Sequence, residues 1–249
     1  MNPWMNLMRA ELRKLTTTKM PWAFLIVLVV ISGITAAAVI FGTDMDGSKD
    51  FVSTAADQQS LMAFAANAFM GAGLFGAIAV ARGYAHGTVV PMFLTSPRRQ
   101  RAMLAQLAAV ALVGGLLAAV GAGLTVVAVA LALPTTDYGF LVPAADVVRI
   151  LAASGFAGAA GAVLGGGVGA VVRNTGGAVT GAVLLLIIAP PLAMQLASEA
   201  ASWVPSTLAT VLAGVGDEVS TPAAGLAIAA WALIPAAIAL VAVQRRDVV

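Results

Sequence analysis

Apolar residues in this chain fall in long unbroken runs and not in alternation. Six runs stand out, at residues 21–41, 61–81, 102–133, 150–172, 176–197 and 223–243. None contains a charged residue, and the second is interrupted only by the neutral Asn67. A bilayer core about 30 Å thick needs about 20 apolar residues per crossing helix. Each run meets that length. The third would reach about 48 Å at 1.5 Å per residue, so it must tilt or project its first turns beyond the core. Strands of a membrane barrel would alternate apolar and polar positions over about ten residues, and these runs do not. The pattern predicts an all-α integral membrane fold, a single domain over 1–249 with six transmembrane helices.

The segments between the runs add two expectations. Residues 198–222 are too polar and broken to span, and predict an outer cap with short helical pieces near 204–213. Ahead of the first run, residues 2–19 carry Trp4, Met5, Leu7, Met8, Leu12 and Leu15 on one face at 100° per residue. Arg9, Arg13 and Lys14 occupy the rest of the circumference. This is a basic amphipathic helix, suited to the headgroup layer or to anchoring the first run. A secretory signal ending at Ala36, Ala37 and Ala38 is the rival reading of the first run. The run's continuation through Val39, Ile40 and Phe41 counts against it.

Charge then sets an orientation. Of 249 residues 61% are hydrophobic and 10% charged, against about 25% charged in a soluble domain. Basic residues stay in cytoplasmic loops. With both termini inside, only Lys49 and Arg149 of the 13 basic residues fall outside. Most acids fall outside, among them Asp44, Asp46, Asp50, Asp57, Asp137, Asp146, Glu199, Asp217 and Glu218. The expected place is a multi-pass position in a bacterial plasma membrane. Membrane lipid is an expected partner and nucleic acid is not.

Glycine spacing marks packing faces. Gly161, Gly165 and Gly169 recur every four residues in the fourth run, and Gly177 and Gly181 repeat the step in the fifth. Small residues at this spacing let membrane helices approach closely. The face serves packing within the chain, a dimer seam or a sliding surface. Asn67, Thr180 and Gln195 are neutral polar groups in or near the second and fifth runs. They are either interhelical glue or the lining of a substrate path.

Little else has the look of chemistry. Cysteine is absent and His86 is the sole histidine, so no metal site is expected. The acidic stretch from Asp44 to Asp50 departs from a calcium loop, its glycine coming early and Ala55 standing where a glutamate belongs. No Gly-x-x-x-x-Gly-Lys phosphate loop exists, and the lysines are Lys14, Lys19 and Lys49. The chain is therefore not expected to be an enzyme by itself.

The segment between the second and third runs is more telling. It holds Gly83, Tyr84, His86, Gly87 and Thr88, then a short apolar stretch at 89–94, then Thr95, Ser96, Pro97, Arg98 and Arg99. A short apolar element flanked by cations is something a soluble partner can grip; the plain alternative is a loop with topogenic arginines. With these residues, with the opening Glu11, Leu12, Arg13, Lys14, Leu15, Thr16 and Thr17, and with Arg173 and Asn174 after a glycine-rich run, the chain resembles the permease subunits of ABC-2 type exporters. The resemblance extends over essentially the whole length. Two positions depart from the family's habit: Gly83 stands where a glutamate is frequent, and Gln106 where a lysine is.

The resemblance implies a transmembrane permease working as a homodimer or heterodimer, each copy docking a separate ATP-binding subunit. ATP and Mg would sit on that partner. Residues 83–99 would form the coupling element, touched by Gly83, Tyr84, His86, Gly87, Thr88, Pro97, Arg98 and Arg99. The amphipathic helix, with Trp4, Arg9, Glu11, Arg13 and Lys14, would be a second contact. The cargo would be a drug, lipid or other amphipathic molecule. The alternatives are an ATP-independent channel or transporter, or a non-transporting membrane scaffold.

Overall fold

The computed structural model describes residues 3–44, 47–88 and 99–245. Within them the fold is all helical, with no strand among the described residues. The helices are α1 (Pro3–Thr17), α2 (Met20–Phe41), α3 (Ala55–Ala63), α4 (Ala68–Ala85), α5 (Arg99–Ala132), α6 (Ala144–Val172), α7 (Thr175–Val183), α8 (Ala189–Leu196), α9 (Pro205–Leu212) and α10 (Thr221–Arg245). Six stretches are long and apolar enough to cross a membrane: Met20–Phe41, Ala55–Ala85, Arg99–Thr135, Ala144–Val172, Thr175–Leu196 and Thr221–Arg245. The chain is thus built as a multi-pass membrane protein.

Two stretches are broken helices. A 3-10 turn, Phe64–Asn67, joins α3 to α4. A π-helical turn, Leu184–Ile188, joins α7 to α8. The second break has a covalent cause. Pro190 and Pro191 have no N–H to donate back to the preceding turn, and their rings crowd the carbonyls four residues earlier. Widening that turn relieves the crowding, and the Ala189 N–H bonds to Leu184 O instead. The third stretch starts at Arg99, earlier than the apolar run at 102. Nothing at 99–101 breaks a helix, so the helix continues past the apolar residues into a charged first turn. Arg99 and Arg101 are exposed there.

α6 is the central helix. Half of its most apolar stretch is buried, against 11% for α2 at the periphery. Its glycines face three neighbours. A Cβ on Gly161 or Gly165 would run into Phe69 O or Gly73 O of α4, and one on Gly169 would come within 2.6 Å of Ala77 O. The steps of four on both helices run in the same direction, so α4 and α6 are parallel. The α4 carbonyls take up the space that a Cβ would need at these glycines, the close approach that small residues allow between membrane helices. Gly158 meets Ala118 and Gly114 of α5 in an antiparallel seam. Gly167 meets the backbone of Pro235 and Ala236 in α10. The triad Gly161, Gly165 and Gly169 is covered by α4 of the same chain.

α6 and α7 form a hairpin in which Val172 rests on Gly177 and Val168 on Gly181. Arg173 turns the chain with φ 59°, and its N–H bonds to Gly169 O at 2.9 Å. Asn174 caps α7, accepting from the Gly177 N–H at 3.0 Å. A left-handed arginine costs about 1 kcal/mol more than glycine would.

Helix directions alternate, so the bundle has two ends of opposite charge. One end carries Arg9, Arg13, Lys14, Lys19, Arg82, Arg99, Arg101, Arg173 and Arg245, with Glu11 as its acid among the described residues. The other carries Asp44, Asp50, Asp57, Asp137, Asp146, Glu199, Asp217 and Glu218. Its two cations each close a helix. Lys49 Nζ donates to Ile40 O at 2.6 Å, at the end of α2. Arg149 Nε donates to Leu212 O at 2.9 Å, at the end of α9. Cations are favoured where a helix leaves its last carbonyls unpaired. Gln58, fully buried, stitches the same end. Its amide donates to Val52 O and Gly139 O, and its carbonyl accepts from Leu141 N–H, all within 3.0 Å.

Candidate functional site

α2 touches the rest of the bundle mainly along α5, and only Ser32 and Val39 of its residues are buried. Gly121 of α5 admits Leu28, and Ser32 Oγ lies 3.0 Å from Thr125 Oγ1. Because α2 leans on α5, it stands off α4. The result is a lateral groove of about 430 Å³, walled by Phe24, Val27, Leu28 and Ile31 of α2 and by Met70, Gly71, Leu74 and Phe75 of α4. Gly114, Leu117 and Ala118 of α5 form its floor. Its volume falls in the range of small-molecule sites.

The groove is apolar except at one place. Thr125 Oγ1 donates to Gly121 O at 3.0 Å, which leaves it to accept from Ser32. The two hydroxyls form the polar spot on an otherwise hydrocarbon wall. Towards the basic end the groove closes where Phe24 and Phe75 meet edge to face, ring centroids 5.4 Å apart. Towards the acidic end it runs out at Phe64, which is 63% exposed.

Two of the expected path residues lie away from this groove. Thr180 and Gln195 are exposed on the fifth crossing stretch and line no part of the groove. Each is a lone polar residue in an apolar helix, and spacing alone does not say which neighbour it faces. Asn67 lies in the turn that leads into the groove wall; its side chain is outside the described residues. The residues that do line the groove are unremarkable in sequence. Only Ser32 and Thr125 offered a signal, as hydroxyls inside long apolar runs.

The basic end gathers the other candidates. α1 lays Met8, Leu12 and Leu15 against the core at the start of α5. The apolar stripe expected to face lipid is thus largely spent on protein. Trp4 and Met5 overhang it and are exposed, as are Arg9 and Arg13. Glu11 lies in the stripe, 8% exposed, and pairs with Lys14 at 3.3 Å.

At the end of α4, Gly83 is buried and Tyr84 packs beneath Arg173, whose guanidinium carbon lies 5.4 Å from the ring centroid. His86 and Gly87 are exposed in a turn, Gly87 at φ 66°. His86 Nδ1 lies 3.0 Å from Arg82 O, and Thr88 Oγ1 donates to Gly83 O at 3.2 Å. Pro97, Arg98 and the short apolar stretch at 89–94 lie outside the described residues. Gln106 is 2% exposed, and its carbonyl oxygen has no hydrogen-bond partner among the described residues.

At the acidic end, the Asp44 carboxylate is occupied by Phe51 N–H and Ser48. No three metal-binding side chains come together among the described residues. Tyr138 donates to Asp50 at 2.7 Å, and that bond, aided by neighbouring carboxylates, raises its phenol above the ordinary value.

The fold and these sites define a multi-pass α-helical membrane protein with an apolar groove between α2 and α4. No family model and no curated protein matches the chain.

Proposed function

We propose that this chain is the membrane-spanning permease subunit of an ATP-driven exporter of the ABC-2 type. Its basic end faces the cytoplasm of a bacterium, and a separate ATP-binding subunit docks there, carrying the ATP and Mg. A second permease, identical or related, completes the complex. The cargo is an amphipathic molecule taken up in the α2–α4–α5 groove.

The groove is the observation that carries this reading. It is apolar, open to the side and closed at the basic end by Phe24 and Phe75. A molecule held there would be released towards the acidic end. None of the lining residues is ionisable, and ion- or proton-coupled carriers rely on such groups within their spans. That composition supports a driving energy that enters from outside the bilayer. The basic end, with exposed Arg9, Arg13, Arg82, Arg99 and Arg101, offers a surface for an acidic soluble partner. The resemblance in the segment between α4 and α5 supports the same place. ATP can drive the cycle only by favouring one conformation over another.

The test is charge reversal at Arg98 and Arg99 in the native complex, reconstituted into proteoliposomes. ATP hydrolysis should continue while movement of a fluorescent amphiphile stops, with membrane insertion unchanged. Coupling at the wild-type ratio would remove this segment from the mechanism.

A further inference from the structure

The polar spot of the groove has a direction. The Thr125 hydroxyl gives its hydrogen to Gly121 O, one turn back on α5. That leaves Thr125 Oγ1 as the acceptor for Ser32, whose own hydrogen has no other acceptor among the described residues. Both O–H groups are therefore spent inside the chain. A hydroxyl oxygen has two lone pairs besides its hydrogen. Ser32 Oγ keeps both and Thr125 Oγ1 keeps one, with no further donor to them among the described residues. Each residue is 4% exposed, and Ser32 stands near the middle of α2. Bulk water has little reach there.

The rest of the wall limits what can fill the groove. None of the lining residues is ionisable, so a charged group would lose its hydration with nothing to replace it. An apolar pocket takes its specificity from the few polar groups placed in it. Here those groups accept and do not donate. A ketone or ether oxygen brought to the same place would meet lone pair with lone pair, whereas a hydroxyl or an N–H finds a partner. A joint between α2 and α5 accounts for the Ser32–Thr125 bond. It does not require the pair to open onto the groove, as both residues do.

We propose that Ser32 and Thr125 are specificity residues, which select for the groove neutral apolar molecules that carry a hydrogen-bond donor. The inference rests on the groove being a binding site, and needs neither ATP nor a partner subunit.

The test compares two probes of nearly one shape, 4-phenylcyclohexanol and 4-phenylcyclohexanone, the first a donor and the second an acceptor only. The chain has no cysteine, so Phe64→Cys at the outer end of the groove takes a single environment-sensitive fluorophore. Titrations are made on the full chain in nanodiscs, with each probe counted per lipid so that partition into the bilayer cancels. The alcohol should bind about two- to tenfold more tightly than the ketone, the size of one net hydrogen bond. Ser32→Ala with Thr125→Val should bring the ratio to one by weakening the alcohol alone. Gly71→Leu should weaken both probes alike, which places them in the groove.

Equal binding of the two probes to the wild-type chain would overturn the selection and leave the groove standing as a site. A preference for the alcohol that survives in the double variant would overturn it too. If the double variant does not fold, the wild-type ratio still decides. Binding of neither probe, or binding that Gly71→Leu does not change, would remove the groove reading and the inference together.

Discussion

Replacing Gly165 by alanine tests the packing of the central helix most sharply. The added Cβ would collide with Gly73 O, and it would also come within 2.6 Å of Gly73 C and 3.0 Å of Ala77 N. All three are backbone atoms, so no rotamer change can make room and α4 must move off α6. Overpacking of this kind costs about 1–3 kcal/mol. Alanine's better helix propensity returns about 1 kcal/mol, so a net loss of about 2 kcal/mol is the upper expectation. Gly33 is the control, since a Cβ there meets nothing within 4 Å and Gly33→Ala should gain about 1 kcal/mol. The pair should differ by about 1–3 kcal/mol, or roughly 2–12 °C in thermal midpoint for a chain of this size. Detergent-solubilised protein, followed by tryptophan fluorescence on heating, gives the readout. Equal midpoints for the two variants would refute the account of α6 as a helix locked by backbone contact.

Three further outcomes follow from particular side chains. Gly71 lines the groove and a Cβ there meets nothing within 4 Å, so Gly71→Leu should fill the groove without loss of thermal stability. Cargo transport should fall by about ten- to two-hundredfold; transport at the wild-type rate would show that cargo does not use the groove. Gln106→Met removes a buried carbonyl that lacks a partner and should stabilise the chain by about 1 kcal/mol, read as a raised midpoint in the same melting assay. Tyr138 binds its proton more tightly in the folded chain, through its bond to Asp50. That contribution is complete below the phenol's ordinary value of 10.0 and is lost as pH rises beyond it. Tyr138→Phe should therefore flatten the fall in midpoint above pH 10, and an unchanged slope would show that the bond does not matter.

The crossing helices were legible because length and hydropathy determine what a bilayer accepts, and neither depends on neighbours. What each helix touches was not legible. Gly161, Gly165 and Gly169 announced a smooth face, but only the fold shows that α4 covers it. The amphipathic stripe of α1 was plain, yet its use against α5 needed the position of α5. Lys49 and Arg149 read as exceptions to the charge rule. They serve as caps on helices that end elsewhere in the chain, at Ile40 and Leu212. Thr180 and Gln195 lie away from the groove, and their sequence did not say where they face, since a lone polar residue in an apolar helix carries no direction. The groove depends on α2 standing away from α4, and no residue of either helix signals that gap.

The central claim is that the chain works with a separate ATP-binding subunit at its basic end. Affinity purification of the tagged chain from native membranes, with identification of its companions, tests it most directly. The account predicts an ATP-binding subunit that co-purifies in stoichiometric amount and brings ATPase activity with it. A chain that purifies alone, under conditions that keep other membrane complexes intact, would contradict it.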